Sequence, residues 1–228
     1  MPHFVTIVIA ILIALVSCKL HPEAKLHFME YCHYFKYPVE KHLIETDDGF
    51  ILTYFRVQKK NSTIKEGLKP IWLQHGLLGS SDDWITNDED KSPAWILANA
   101  GYDVWIGNSR GNKHSLDHVR YTTKNMEFWA FTFQHMADYD LPAGLKYIYA
   151  KTGQKVNYIG HSQGTIQMFI ALSKNNPIVE ALLDNYFAFG PVAYANHQTS
   201  KLLHLLSDSK LLTFLQKNHI YQVLLLRT

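Results

Sequence analysis

The hydrophobic and polar positions of this chain alternate between short apolar runs and amphipathic stretches. Residues 41–46 predict a first strand, Asp47-Asp48-Gly49 a turn, and residues 50–57 its hairpin partner, with Ile51, Thr53 and Phe55 in alternation. A polar loop over residues 58–69 ends at Pro70. Ile71-Trp72-Leu73 then reads as a fully apolar strand of the kind buried in a parallel sheet. Ser92-Pro93 predicts a helix start that carries Trp95, Ile96 and Leu97, and Gly101 ends it. Another apolar strand covers residues 102–106, and helical pattern resumes near Met126. A helical run starts at Asp140-Leu141-Pro142, puts Leu141, Leu145, Ile148 and Tyr149 on one face, and stops at Gly153. Val156, Tyr158 and Ile159 form a short buried strand, residues 165–174 a helix, and residues 186–189 one more strand. Apolar strands alternating with amphipathic helices specify an α/β fold with a mostly parallel sheet and right-handed crossovers. From Tyr194 onward the pattern changes: Leu202, Leu203, Leu205 and Leu206, then Leu211, Leu212 and Leu215, predict two short amphipathic helices.

Composition narrows the class. With 228 residues, 47% of them hydrophobic and 18% charged, the chain is long enough for one sizeable domain and is neither disordered nor fibrous. A net charge of +2 without a Lys/Arg cluster gives no reason to expect a nucleic-acid partner. The apolar stretch at residues 4–16 is short for a bilayer span but suits a signal-peptide core, with cleavage after Cys18; a short membrane anchor is the other reading. Removing residues 1–18 would leave Cys32 alone and no internal disulfide. Asn61-Ser62-Thr63 is an acceptor sequon for glycosylation, consistent with the secretory route to the cell exterior or the lysosome.

The chemistry centres on Gly160-His161-Ser162-Gln163-Gly164. Strand, sharp turn and helix in that order make a nucleophile elbow, with Ser162 at a strained apex and small residues at Gly160 and Gly164 where strand and helix crowd. A serine hydroxyl needs an adjacent base, and a tetrahedral intermediate needs preorganised N–H donors. One donor is the residue after the nucleophile, Gln163. The other is expected in the loop after the apolar strand at residues 71–73, where His75-Gly76-Leu77 stands; Leu77 N–H is the candidate, with His75 and Gly76 in support.

Several longer stretches resemble the acid lipase family of gastric and lysosomal lipases. They are Leu73-Gln74-His75-Gly76-Leu77-Leu78-Gly79-Ser80-Ser81, the run from Asn99 through Gly107-Asn108-Ser109-Arg110-Gly111-Asn112, Glu127-Phe128-Trp129-Ala130-Phe131, Tyr139-Asp140-Leu141-Pro142-Ala143, Lys151-Thr152-Gly153-Gln154 and the Ser162 motif. The similarity runs from about residue 30 to about residue 195. It implies a partial α/β-hydrolase core over residues 19–193 and the start of a helical cap over residues 194–228. It also implies a lipase cleaving triacylglycerols or cholesteryl esters at a lipid–water interface, with Ser162 as nucleophile, Leu77 and Gln163 as oxyanion donors, and no cofactor or metal.

The acid and base of such folds follow the serine, and no residue here fits them. Asp184 precedes the strand at residues 186–189 and is expected at the far end of the sheet. Asp208, His197, His204 and His219 fall in the leucine-rich segment, and His161 adjoins Ser162 on the backbone. His114 and His118 could share a helix face, but no third metal ligand stands out. The reading is therefore an N-terminal portion of an acid-lipase-like enzyme, ending its sheet on an unpaired apolar edge. A catalytically inactive fragment, or a lipid-binding protein without turnover, is the alternative.

Overall fold

The computed structural model describes residues 22–194 and Thr199. The expected signal segment, Asp208, His197, His204, His219 and nearly all of the expected cap lie outside the described residues.

β1 (Val39–Glu45) and β2 (Phe50–Val57) form the expected hairpin. Its turn is closed by Thr46, whose hydroxyl accepts from Phe50 N–H at 2.9 Å and donates to Asp48 Oδ1 at 2.6 Å. β3 (Pro70–Gln74), β4 (Asp103–Gly107), β6 (Val156–His161) and β7 (Leu183–Phe189) run parallel to one another, whereas β2 meets β4 antiparallel. The strand order is β1-β2-β4-β3-β6-β7, and the two-residue β5 (Asp117–His118) pairs with β2. Among the described residues β7 pairs only with β6, and Phe187 and Phe189 on it stand about half exposed.

Successive strand residues point to opposite faces, so a strand buried on both faces must be apolar throughout. Trp72, Trp105 and Tyr158 face one core, completed by Leu141, Leu145 and Ile148 of helix α4 (Leu141–Thr152) and by Met168 of α5 (Gln163–Ser173). Their sequence neighbours Ile71, Leu73, Val104, Ile106 and Ile159 face the other core. Phe28 and Cys32 of α1 (Phe28–Tyr34) and Trp95 of α2 (Pro93–Asn99) complete that one. Helix α6 (Pro177–Leu182) sits before β7, capped by Asn176, whose Oδ1 accepts from Ile178 and Val179 N–H.

Several expectations need correction. Tyr149 is not part of the buried face of α4 but 41% exposed, because its position has rotated past the sheet. Ser92 precedes α2, but its hydroxyl donates to Asn87 O instead of capping the helix. The α-helix starts at Leu141 as expected, but Asp140 does not cap it with its side chain and is not the first helical residue of the segment. A short α3 (Phe133–His135) and a π turn (Met136–Asp140) run continuously into α4, and Asp140 is already helical at φ −66° and ψ −47°.

Asp140 has a different task. Its Oδ1 accepts from Arg110 Nε at 2.8 Å and from Arg110 NH2 at 2.6 Å, and its Oδ2 accepts from Arg110 N–H at 3.3 Å. The same guanidinium donates to both carboxylate oxygens of Asp48 and lies 4.1 Å over the Phe50 ring. Arg110 is 2% exposed and Asp140 3%, so the pair ties the loop after β4 to the helical layer and to the hairpin turn through buried charge. Removing one partner of such a pair leaves a bare charge and costs about 3–5 kcal/mol. Arg110→Met is thus expected to lower the unfolding free energy by about that amount at neutral pH, as read by urea denaturation. Burial already raises the Asp140 pKa to about 6 with Arg110 in place, and removing the cation raises it further. The variant's folded state then takes up its proton at a higher pH than the unaltered one does, so the deficit should shrink as the pH falls through about 6. A deficit that grows on acidification would show that Asp140 is not the group left stranded.

Candidate active site

β6 ends at His161, and the next residue turns the chain through a conformation that L-residues avoid. Ser162 has φ 51° and ψ −112°, a strained geometry of the kind that costs of order 1–3 kcal/mol and persists only where its surroundings enforce it. Those surroundings are largely backbone. Ser162 N–H donates to Phe189 O of β7 at 2.9 Å, and Ser162 O accepts from Thr165 N–H at 2.8 Å and from the Thr165 hydroxyl at 2.6 Å. A methyl group on Gly160 would lie 2.7 Å from Gly164 O, and one on Gly164 would lie 2.6 Å from Gln74 O. Strand, turn and helix therefore touch main chain to main chain. Tyr158 seals the contact from below by donating its hydroxyl to Gly164 O at 2.8 Å. The half-buried Ser162 does not cap α5 with its hydroxyl, which bonds to nothing among the described residues.

The loop after β3 arrives beside this turn. A methyl group on Gly76 would stand 3.1 Å from Ser162 Cβ and 3.1 Å from His161 Nδ1. A side chain at that position would crowd Ser162 and the His161 ring, and one of them would have to give. Leu77 and Leu78 follow, both more than half exposed, with Leu78 at φ 64°. The backbone N–H groups of Leu77 and Gln163 donate to no acceptor among the described residues. Gln163 is the first residue of the 11-residue α5, so its N–H belongs to the positive end of that helix. The Gln163 side chain turns away and donates to Met136 Sδ at 3.1 Å. Two unengaged N–H groups, a glycine-lined approach and a strained serine share one end of the sheet, where negative charge on an acyl oxygen could be received.

His75 is buried, 4% exposed, with its ring bonded on both nitrogens: Nδ1 to Gly76 O at 2.8 Å, and Nε2 to Ser109 N–H and Asn112 Nδ2, each at 3.1 Å. Burial pushes its pKa below the ordinary histidine value, against the opposite pull of the Gly76 carbonyl and Asp83. It is a structural part of the loop. His161 is exposed, and its ring lies against Gly76 and, more loosely, Gly190. Asp184 stands at the start of β7, at the end of the sheet remote from Ser162, and pairs with Lys69 at 3.1 Å. His114 and His118 share no helix: His114 Nε2 sits 2.9 Å from Asp82 Oδ1 in a loop, and His118 lies on β5 with Nε2 3.1 Å from Asp48 O. No group of three metal ligands occurs among the described residues. Asn61 lies exposed at φ 57° in the loop after β2.

Asn108 and Asn112 were not singled out as site residues, yet both are built into the loops around Ser162. Asn108 Oδ1 accepts from Ser81 N–H at 2.9 Å and from Asn112 Nδ2 at 2.7 Å, while Asn108 Nδ2 donates to Thr53 O. Two asparagines placed directly after an apolar strand were the available signal.

Residues 69–183 match the sequence profile of a family described as alpha/beta hydrolase fold, which is half of the chain. The chain belongs to this family. Residues 28–88 match a second profile, described as a partial alpha/beta-hydrolase lipase region. Among curated proteins, mouse gastric triacylglycerol lipase is 47% identical over 79% of this chain and 46% of its own length. Human lysosomal acid lipase/cholesteryl ester hydrolase is 46% identical over 81% of this chain and 47% of its own length. The chain thus spans about half the length of the curated relatives it matches. A Pyrococcus furiosus esterase aligns in three dimensions with TM-score 0.52 at 17% identity, covering 83% of this chain and 64% of that one, which shows the shared fold.

The backbone contacts at the turn predict a specific sensitivity. Gly164→Ala drives a methyl into Gln74 O, a main-chain atom that cannot rotate away, and is expected to cost about 1–3 kcal/mol by overpacking. Chemical denaturation checks it. A change within about 0.5 kcal/mol, the size of an ordinary surface substitution, would mean that the strand and helix are not in main-chain contact there.

Proposed function

We propose that this chain is the nucleophile-bearing part of a serine ester hydrolase that acts on neutral lipids, triacylglycerol or cholesteryl ester. Ser162 attacks the ester carbonyl, and Leu77 and Gln163 N–H receive the oxyanion. The observation that carries this reading is the juxtaposition of the strained Ser162 with two unengaged amides across Gly76. The relatives, a triacylglycerol lipase and an acid lipase/cholesteryl ester hydrolase by name, support the ester class and the lipid substrate. The general base and its acid are not among residues 22–194: His75 is buried and fully bonded, His161 makes no bond to the Ser162 hydroxyl, and Asp184 is remote. Residues 194–228 begin a cap over the acyl site, and no cofactor takes part.

Enzymes stripped of triad members lose several orders of magnitude in rate. The 228-residue chain alone is therefore expected to react slowly with an alkyl fluorophosphonate, and Ser162→Ala should abolish the label, as read by intact-mass spectrometry. Label that survives Ser162→Ala would remove Ser162 from the role of nucleophile. Rapid labelling lost in Ser162→Ala would instead mean that a base is present.

The destination is the secretory pathway, exterior or lysosome, and Asn61 carries an N-glycan. Its side chain is exposed in a polar loop, where an oligosaccharide meets no core. Protein made in eukaryotic cells should lose mass on endoglycosidase treatment, and Asn61→Gln should run at the deglycosylated position from the start. An unchanged mobility in both would contradict glycosylation and weaken the secretory assignment.

A further inference from the structure

The loop His75-Gly76-Leu77 is joined to the loop after β4 by a chain of hydrogen bonds whose polarity is fixed by geometry. A backbone N–H can only donate, so each one it reaches must be an acceptor. Ser109 N–H reaches His75 Nε2 at 3.1 Å, so that nitrogen carries no proton and the proton of the neutral ring sits on Nδ1. Nδ1–H then donates to Gly76 O at 2.8 Å. His114 and Ser115 N–H both reach Asn112 Oδ1, at 3.0 and 3.1 Å, which sets the orientation of that amide and points its Nδ2 at His75 Nε2 and at Asn108 Oδ1. Asn108 Oδ1 is in turn identified by Ser81 N–H at 2.9 Å.

The peptide following Gly76 is planar and trans. Fixing its carbonyl therefore fixes the opposite direction for its N–H, which belongs to Leu77. Gly79 N–H also donates to Gly76 O, at 3.2 Å, so the carbonyl is held from two sides.

We propose that His75 is a positioning residue whose Nδ1–H, held in that tautomer by Ser109 N–H and Asn112, grips the Gly76 carbonyl and thereby aims Leu77 N–H at the oxygen-binding side of Ser162. This rests on the oxyanion role given to Leu77 above. It assigns a task to the Gly107-Asn108-Ser109-Arg110-Gly111-Asn112 segment, whose polar side chains otherwise stand near the site without chemistry. A protonated ring would set an N–H against two N–H donors, so the grip requires the neutral form that burial favours.

The test uses the full chain, labelled with ¹⁵N. In the unaltered protein the His75 ring should show the neutral Nδ1–H pattern; an Nε2–H pattern overturns the proposal outright. The residual dipolar coupling of the Leu77 amide reports its direction. His75→Phe should change that coupling while the couplings of β3 and β6 stay, and His75→Asn, which keeps a donor near the Nδ1 position, should restore it. Asn112→Leu, which leaves the imidazole in place, should shift it in the same sense and serves if His75→Phe does not fold. An unmoved Leu77 coupling in either folded variant overturns the proposal. Phosphonylation of Ser162 in the folded variant should slow by roughly 10²-fold or more, the scale of a lost oxyanion donor. Leu77 turning while phosphonylation keeps its rate would leave the grip standing and overturn the oxyanion role itself.

Discussion

Ser162 holds a backbone conformation that its own side chain disfavours, and much of the surrounding architecture follows from the need to keep it there. The restraint comes from main chain. Phe189 O, Thr165 N–H and the Gly160–Gly164–Gln74 contacts are all set by how β3, β6, β7 and α5 meet, and none depends on a flexible side chain. Strain of about 1–3 kcal/mol is a large share of the marginal stability of a domain. It can be maintained here because the strands beneath are buried on both faces, with Trp72, Trp105 and Tyr158 in one core and Leu73, Ile106 and Ile159 in the other. A sheet clamped from both sides does not relax to relieve one residue.

The same end of the sheet gathers buried polar groups that would be a liability anywhere else. Arg110, Asn108, Ser109 and His75 are each at most 5% exposed, yet each is bonded, and several of the bonds join the loop after β4 to other segments. Apolar packing fixes the strands, but a loop cannot be fixed that way without burying unmet carbonyls and amides. A satisfied polar network supplies the rigidity instead. Arg110 joins its loop to the hairpin turn and the π turn, and Asn112 joins it to the loop that carries Leu77. The loop after β4 carries none of the residues assigned to the reaction, yet it is tied to three neighbouring segments.

Legibility in the sequence tracked locality. Apolar runs bounded by glycine or proline gave β3, β4 and β6, because burial on both faces leaves a signature that needs no partner to be read, while the β1–β2 hairpin was read from its alternation and its Asp47-Asp48-Gly49 turn. The elbow was legible because its small residues stand at fixed spacing around Ser162, Gly160 meeting Gly164 four residues on, although Gly164 also meets Gln74 O and Ser162 N–H meets Phe189 O. Helix α6 was missed although Asn176-Pro177 marks its start, and the helical run was started at Asp140 without the π turn that leads into it. The partner of Asp140, Arg110, lies 30 residues earlier, and no local pattern reports that. The networks of Asn108 and Asn112 were illegible on the same ground: each asparagine reads locally as a turn former, and only the fold brings Ser81 and His75 to it.

The two halves of ester hydrolysis make different demands on a chain. Receiving an oxyanion takes backbone amides aimed in advance, and those are products of secondary structure: on the proposed reading the first turn of α5 supplies one and the turn after β3 the other. Moving the proton takes an imidazole free to change its charge and a carboxylate to orient it, which only side chains can provide. His75 shows why proximity alone does not make a base. Its ring is close to the site but is occupied on both nitrogens, and accepting a proton would break the bonds that hold the loop. A histidine that organises the amides is thereby withdrawn from acid–base work. On the proposed reading the oxyanion-receiving half is preassembled within residues 22–194, and the base that it needs is an imidazole other than His75, one not tied into the scaffold.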